Sequence, residues 1–595
     1  MDSDIVRGIG LVVVLGIGLQ WAARRVGVPS IVLLLAGGLV VGPGLGLVDP
    51  DEIFGEALFP VVSLAVGLLL FHGGLELRLA DLRGGVRRPV LRLVTVGALV
   101  TWGLGALTVH LVFGEPARVS VLAGAVLVVS GPTVVGPLLR LTRPRDPDAT
   151  ILRWEGILID PLGAVLGLFC LNAFFIDELA IDAVWGELVA VALAGAAAGL
   201  AGAAVLVTAL HRFAVPDELE VAVALMLVVA AYVTGEVVRP EAGLFATTTM
   251  GLALANQRYV PIDALEAFGR PVVALLIGGL FIVLAAGAEA DPLADHLVSG
   301  LVVAAVLVLV VRPLAVLAST AGSTLLSWRE RAFLACMAPR GVVAAATASL
   351  YSLRLEDIGE ASDILVPLTF TVIIALAAVY GVGSVAAARW LGVARPRPRG
   401  ALVVGDRPWA LGLAGELSRN GVSTVLAARG RADLAARDDL PFAVHASPLI
   451  DLPRSGLLTD VRGAVVASRD DETDLIALGV LVEALGRSNV WLLPAEAGTA
   501  SPGPVDRSVT VASRTCRPFA PGVSHDVLER SLAAGGRVTT VAGTDLPDGA
   551  LVLARVGGDG SWTASAAGPF APEDRLVVLD GAVVGPAGAG MGGRQ

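Results

Sequence analysis

The 595-residue chain has no lysine: all 43 basic residues are arginine, and 54 acidic residues bring the net charge to −11. With that balance, and no basic run longer than a loop, nucleic acid is excluded as a partner. Cysteine is scarce too. Cys170, Cys336 and Cys516 lie too far apart for a zinc, haem or iron–sulfur motif or a disulfide framework, and read as small apolar packing residues. A secretory signal is also missing. Met1-Asp2-Ser3-Asp4 is acidic and leads directly into an apolar run, which reads as a first membrane span. Charged residues make up only 16% of the chain and mean hydropathy is +0.78, so a water-soluble surface cannot be built from it.

What the chain does have is Val, Leu, Ala and Gly in repeated runs close to the ~20 residues that cross roughly 30 Å of hydrocarbon. Thirteen spans are predicted, over 5–21, 29–47, 57–72, 89–113, 119–139, 154–176, 184–210, 218–235, 242–256, 264–287, 297–318, 332–351 and 364–391. The loops between them alternate in sign. Arg24 and Arg25 are followed by Asp49, Asp51, Glu52 and Glu56, then by Arg83, Arg87 and Arg88, and the pattern continues to Arg329 and Arg331 before Glu356, Asp357 and Glu360. Arginine-rich loops stay in the cytoplasm, so the N-terminus is expected outside and the C-terminus inside, which needs an odd number of spans. The expected class is an α-helical, multi-pass protein of the cell membrane, with the lipid bilayer as its surroundings.

A lone charge at bilayer depth costs roughly 2.5–3.5 kcal/mol on insertion scales, and such residues usually mark ion or proton pathways. Asp160, in the apolar stretch Gly156-Ile157-Leu158-Ile159-Asp160-Pro161-Leu162-Gly163, is the foremost candidate; Glu155 and Arg340 are the others. The fifth span holds Ser130-Gly131-Pro132-Thr133 and the twelfth Ala338-Pro339-Arg340-Gly341. Proline removes a helical hydrogen bond and clashes with the preceding turn, so both spans are expected to break within the membrane. Paired breaks in opposite directions are a sign of inverted repeats whose half-helix ends meet an ion at the midplane. Against this stands the commonness of Gly-Pro kinks in membrane helices, and the option that Glu155 and Arg340 merely anchor helix ends at the cytoplasmic face. If instead Glu155 and Arg340 form a structural ion pair, Asp160 is left for a proton and a metal ion to compete over. A single carrier carboxylate that alternates its exposure exchanges one cation for one proton without net charge movement. His72 offers a titratable group near the usual ~6.5, or a plain hydrogen-bonded helix end.

These residues resemble the NhaP-type monovalent cation:proton antiporters, relatives of the sodium/proton exchangers, over most of residues 1–392. The family patterns Thr-Asp-Pro, Glu-Ser-x-x-Asn-Asp and Arg-Gly correspond here to Ser130-Gly131-Pro132, the run from Glu155 to Asp160, and Arg340-Gly341. The resemblance implies that Asp160 binds Na+ or K+ and H+ alternately, with Ser130, Gly131 and Thr133 beside it. It also implies a structural pair of Glu155 with Arg340, a homodimer and a role in pH homeostasis. Gly131, Gly156 and Ile159 stand where the family carries Asp, Ser and Asn, which removes oxygen ligands and leaves the choice between sodium and potassium open. The alternative is a ligand-gated cation channel or channel-like potassium transporter, for which the chain lacks a Thr-Val-Gly-Tyr-Gly-like filter. No enzymatic activity is expected, and a membrane oxidoreductase is disfavoured by the lack of cofactor ligands.

The transmembrane region is taken as 1–394 and a linker, Arg395-Pro396-Arg397-Pro398-Arg399, as 395–400. Beyond it, strand, helix and strand patterns at Ala401 to Gly405, Trp409 to Asn420 and Val422 to Ala427 make a βαβ unit. Residues 401–515 are therefore read as a Rossmann-like α/β cytoplasmic domain, 535–585 as a small β-rich subdomain and 586–595 as a disordered tail. This half resembles the regulatory domains of potassium channels and transporters, whose nucleotide-binding loops would correspond to Gly405, Gly412 and the segment holding Asp470. The dinucleotide fingerprint is broken, because Arg407 and Ala410 occupy its second and third glycine positions and Ala428 and Arg429 replace the ribose-binding acid. Three readings stand: a dinucleotide site, a site for an adenine nucleotide or other small regulator, and a docking domain that binds no cofactor.

Overall fold

The computed structural model describes residues 2–176, 181–360, 362–395, 398–437, 439–466, 471–493, 517–518, 523–547, 549–564 and 570–580. The chain divides into two compact units, 1–395 and 396–595.

In the first unit, thirteen helical segments run through the described residues, in the number and order expected. Nine are long and apolar enough to cross a membrane as continuous helices. The other four are the short second segment Ser30–Leu39 with its extension Val40–Gly44, the ninth, Ala242–Asn256, and the two segments that break. The fifth consists of Ala117–Val126 and Pro132–Thr142; the twelfth consists of Trp328–Ala335 and Val342–Asp357. Proline chemistry places the first break. Pro132 opens the second half-helix at a position where its missing N–H leaves the Val128 carbonyl without a helical donor. Gly131, extended at φ −77° and ψ 142°, carries the chain across the gap.

The sixth segment, Asp148–Leu171, and the thirteenth, Leu365–Trp390, are the most buried of the long helices, whereas the first is largely exposed. That layout puts the sixth helix at the centre. The ninth segment, only 15 residues long, is held by backbone contact rather than by length. A Cβ at Gly251 would lie 2.2 Å from the Phe71 carbonyl oxygen of the third segment, Leu58–Leu75, and one at Gly199 would lie 2.2 Å from the Ala246 carbonyl. Only glycine permits either approach.

The second unit contains two sheets. Strands β1 (Gly400–Val404), β2 (Thr424–Ala427), β3 (Ala443–His445), β4 (Val461–Val466), β5 (Val490–Leu492) and β6 (Arg517–Pro518) are all parallel, in the order β3-β2-β1-β4-β5-β6. This is the doubly wound order of dinucleotide-binding folds. The side chains of β1, β2 and β5 are all buried and, Thr424 apart, apolar, as the middle of a parallel sheet covered by helices requires. Strands β7 (Arg537–Ala542), β8 (Leu551–Val556), β9 (Trp562–Ala564) and β10 (Arg575–Asp580) form an antiparallel sheet in the order β7-β10-β8-β9. The two sheets share one core, in which Trp409 and Leu413 of the helix Pro408–Arg419 join Leu553 and Val577.

Candidate ion-binding site

The sixth helix presents two faces with different work. Gly156, Asp160 and Gly163 are spaced four and three apart and so share one face. A Cβ at Gly163 would come within 2.5 Å of Val129 Cγ2, and one at Gly156 within 3.7 Å of the Ser130 carbonyl oxygen. The break in the fifth segment therefore lies against the face that carries Asp160. Glycine at position 156, where the resembling family carries serine, makes room for Val135 of the second half-helix, whose Cγ2 would lie 3.1 Å from a Cβ there.

Asp160 is fully buried, and neither of its carboxylate oxygens has a hydrogen-bond partner among the described residues. Ser130 is buried beside Gly131 at the break, and the side chain of Thr133 lies outside the described part of the structure. Pro161 follows Asp160 and leaves the Ile157 carbonyl without its helical donor. The N-termini of two half-helices, at Pro132 and at Val342, belong to segments packed against the sixth helix. Helix N-termini carry partial positive charge, which favours a carboxylate nearby.

Glu155 points elsewhere, and its partner is not the one expected. Arg312, in the eleventh segment Leu297–Thr320, grips Glu155 with both terminal nitrogens; the Nη2–Oε2 contact is 2.9 Å. The same guanidinium donates through Nε to the Leu334 carbonyl at 3.1 Å and through Nη2 to the Met337 carbonyl at 2.8 Å. These carbonyls end the first half of the twelfth segment. The expected pair of Glu155 with Arg340 is thus corrected. Arg340 donates to the Val128 and Val129 carbonyls at 3.0 and 3.4 Å, filling the vacancy that Pro132 creates. Each arginine closes the carbonyl end of one broken helix, and Arg340 is the charged group that acts on Asp160. Arg312 escaped the sequence reading although it carried a signal, a cation followed by Pro313 inside the apolar run from Leu301 to Leu317.

His72 is not drawn into this cluster. Its ring packs on the tenth segment, where a Cβ at Gly269 would fall 2.4 Å from Nδ1, and its charged neighbours are Glu76, Arg270 and Arg140. In the second unit, Gly405 adopts φ 134° in the turn after β1, a region open to glycine. Gly412 does not bracket that turn. It lies inside the helix Pro408–Arg419, where a Cβ would sit 3.0 Å from Val538 of β7, so it serves packing between helix and sheet. Asp470 and the tail 586–595 lie outside the described residues.

A buried acid at a broken helix, with both breaks closed by arginine, suits ion exchange, and residues 10–390 match the family described as Sodium/hydrogen exchanger, transmembrane. The chain belongs to the sodium/hydrogen exchanger family. Its curated relatives include Na(+)/H(+) antiporter 1 of Methanocaldococcus jannaschii, 28% identical over 360 residues that make up 57% of this chain and 81% of the relative. They also include the K(+)/H(+) antiporter NhaP of Alkalimonas amylolytica, 26% identical over 327 residues, or 52% of this chain and 54% of the relative. Among solved structures, the sodium proton antiporter MjNhaP1 from Methanocaldococcus jannaschii is similar in fold. Its TM-score is 0.59 at 24% identity, covering 65% of this chain and 98% of that one. The exchanger region thus accounts for the first unit, and the second unit extends beyond it.

Proposed function

We propose that this exchanger swaps a monovalent cation, Na+ or K+, for a proton at Asp160 by alternating access, one for one. The observation that carries the reading is Asp160 itself, buried beside the break with both oxygens free of partners among the described residues. A carboxylate so placed needs either a proton or a cation to neutralise it. The relatives named as sodium and potassium antiporters agree with both candidate ions.

The charges favour electroneutral turnover. Two acids, Asp160 and Glu155, face two bases, Arg312 and Arg340. With Asp160 bare the set sums to zero, and one proton or one monovalent cation raises it by the same single charge. Each half of the cycle then moves an equal charge. The cytoplasmic C-terminus, the homodimer and regulation by the second unit, with or without a nucleotide, belong to the same proposal. They rest on the loop charges, the resemblance and the doubly wound sheet.

Proteoliposomes with a preset pH gradient test it. Adding sodium or potassium should dissipate the gradient at a rate that does not change when the voltage is clamped. Asp160→Asn should abolish the response, and exchange that survives in this variant refutes the assignment.

A further inference from the structure

Asp160 is not alone in its isolation. Asp148, the first residue of the sixth helix, is also fully withdrawn from solvent, and neither of its oxygens is hydrogen-bonded among the described residues. It lies twelve residues before Asp160, about 18 Å along the helix. The charged groups that act on it are both acidic, Glu330 and Asp146. Neither neutralises it. Glu330 belongs to the capping box that opens the twelfth segment and accepts from the Ser327 N–H at 2.6 Å, while Asp146 pairs with Arg395.

The loop before Asp148 is clamped to the end of the membrane unit. The Arg145 N–H donates to the Val393 carbonyl at 3.0 Å, and the Arg395 N–H to the Arg143 carbonyl at 2.7 Å. Pro144 and Ala394 form the bridge between them. The tail of the thirteenth segment therefore presents Arg395 to Asp146, and Asp148 receives no cation from it. A bare carboxylate buried next to two acids, with no donor among the described residues, is strongly destabilised, so the closed clamp requires a proton on Asp148.

We propose that Asp148 is a proton-binding site at the foot of the sixth helix, and that losing this proton opens the clamp between 143–146 and 393–395, setting the pH range in which that helix works. The effect on transport rests on the reading of Asp160 as the carrier; the effect on the clamp does not. The sign follows from linkage. An exposed aspartate titrates near ~3.9, and below that value open and closed forms both hold the proton, so the clamp has its full strength. As pH rises, the open form gives up its proton first, and the clamp weakens about tenfold per pH unit until the buried carboxyl itself titrates.

Hydrogen exchange on the full chain in lipid nanodiscs tests this. Protection of amides in 143–148 and 391–395, corrected for the intrinsic pH dependence of exchange, should fall with rising pH in the natural protein and stay level in Asp148→Asn. The pH profile of ion exchange in liposomes should flatten in the same variant. Level protection in the natural protein, an undiminished fall in Asp148→Asn, or protection that follows sodium at fixed pH would overturn the proposal. If Asp148→Asn fails to fold, Glu330→Gln, which keeps an acceptor for Ser327 and takes away a like charge, should end the fall at lower pH and leave more protection above it, and an unchanged fall would count against the proposal. Should Asp160→Asn retain exchange, the carrier assignment falls while the protection result stands, because it needs no transport.

Discussion

Arg312 is buried and makes four hydrogen bonds, two to Glu155 and two to the carbonyls that end a half-helix. Removing one member of such a pair leaves the other charged and stranded, which typically costs about 3–5 kcal/mol, whereas removing both together costs far less. Glu155→Gln and Arg312→Met should therefore each lower the melting temperature in detergent sharply. The double variant should melt above the sum of the two losses, and strict additivity would mean that the pair is not coupled. The same residues show what a linear sequence reveals and what it hides. Asp160 and Glu155 were legible because a charge inside an apolar run is conspicuous, and helical spacing separates their faces by itself. The partner of Glu155 was not legible, since two arginines on distant segments satisfied the same electrostatic requirement. Packing of the eleventh and twelfth segments decides between them.

Broken helices were legible at the level of the element, for a reason rooted in one missing hydrogen. Pro132 cannot donate to Val128, and the vacated carbonyl is where Arg340 arrives from a segment some two hundred residues away. Composition and punctuation located all thirteen segments and both breaks. They said nothing of which helices touch, because side-to-side neighbours depend on contacts such as Gly251 against Phe71 that no periodicity encodes. Those contacts make a sharp test. Gly251→Ala puts a methyl group 2.2 Å from a backbone oxygen that cannot swing aside, and overpacking of this kind costs typically 1–3 kcal/mol. Gly18→Ala, where no atom lies within 4 Å, should be neutral or slightly stabilising, since alanine favours helix over glycine by roughly 0.5–1 kcal/mol. Thermal melting of the two variants side by side checks the contrast. Equal melting would place the ninth segment elsewhere. Gly412 taught a related lesson in the second unit: a glycine near a strand-to-helix turn looks like a phosphate loop until the neighbouring sheet claims it.

For the whole molecule, the two units have separate cores, and the site lies wholly within the first. Competition at one carboxylate then governs the response to pH. On the acid side the apparent KM for the cation should rise by up to tenfold per pH unit while the maximal rate changes little, a pattern that initial rates in liposomes will reveal. A constant KM would point to separate sites for the two ions. A chain ending after residue 395 should keep exchange and lose only whatever control the second unit exerts, as a comparison of rates in liposomes can establish. The final consequence belongs to the two arginines that close the broken helices. A guanidinium keeps its charge across the pH range of living cells, where a buried ammonium would shed its proton and become a second carrier. If Asp160 is the only carrier, as proposed, one proton moves per turnover whatever the acidity. At rest the exchanger would hold the transmembrane ratio of its cation equal to that of the proton, in acid and in alkali alike.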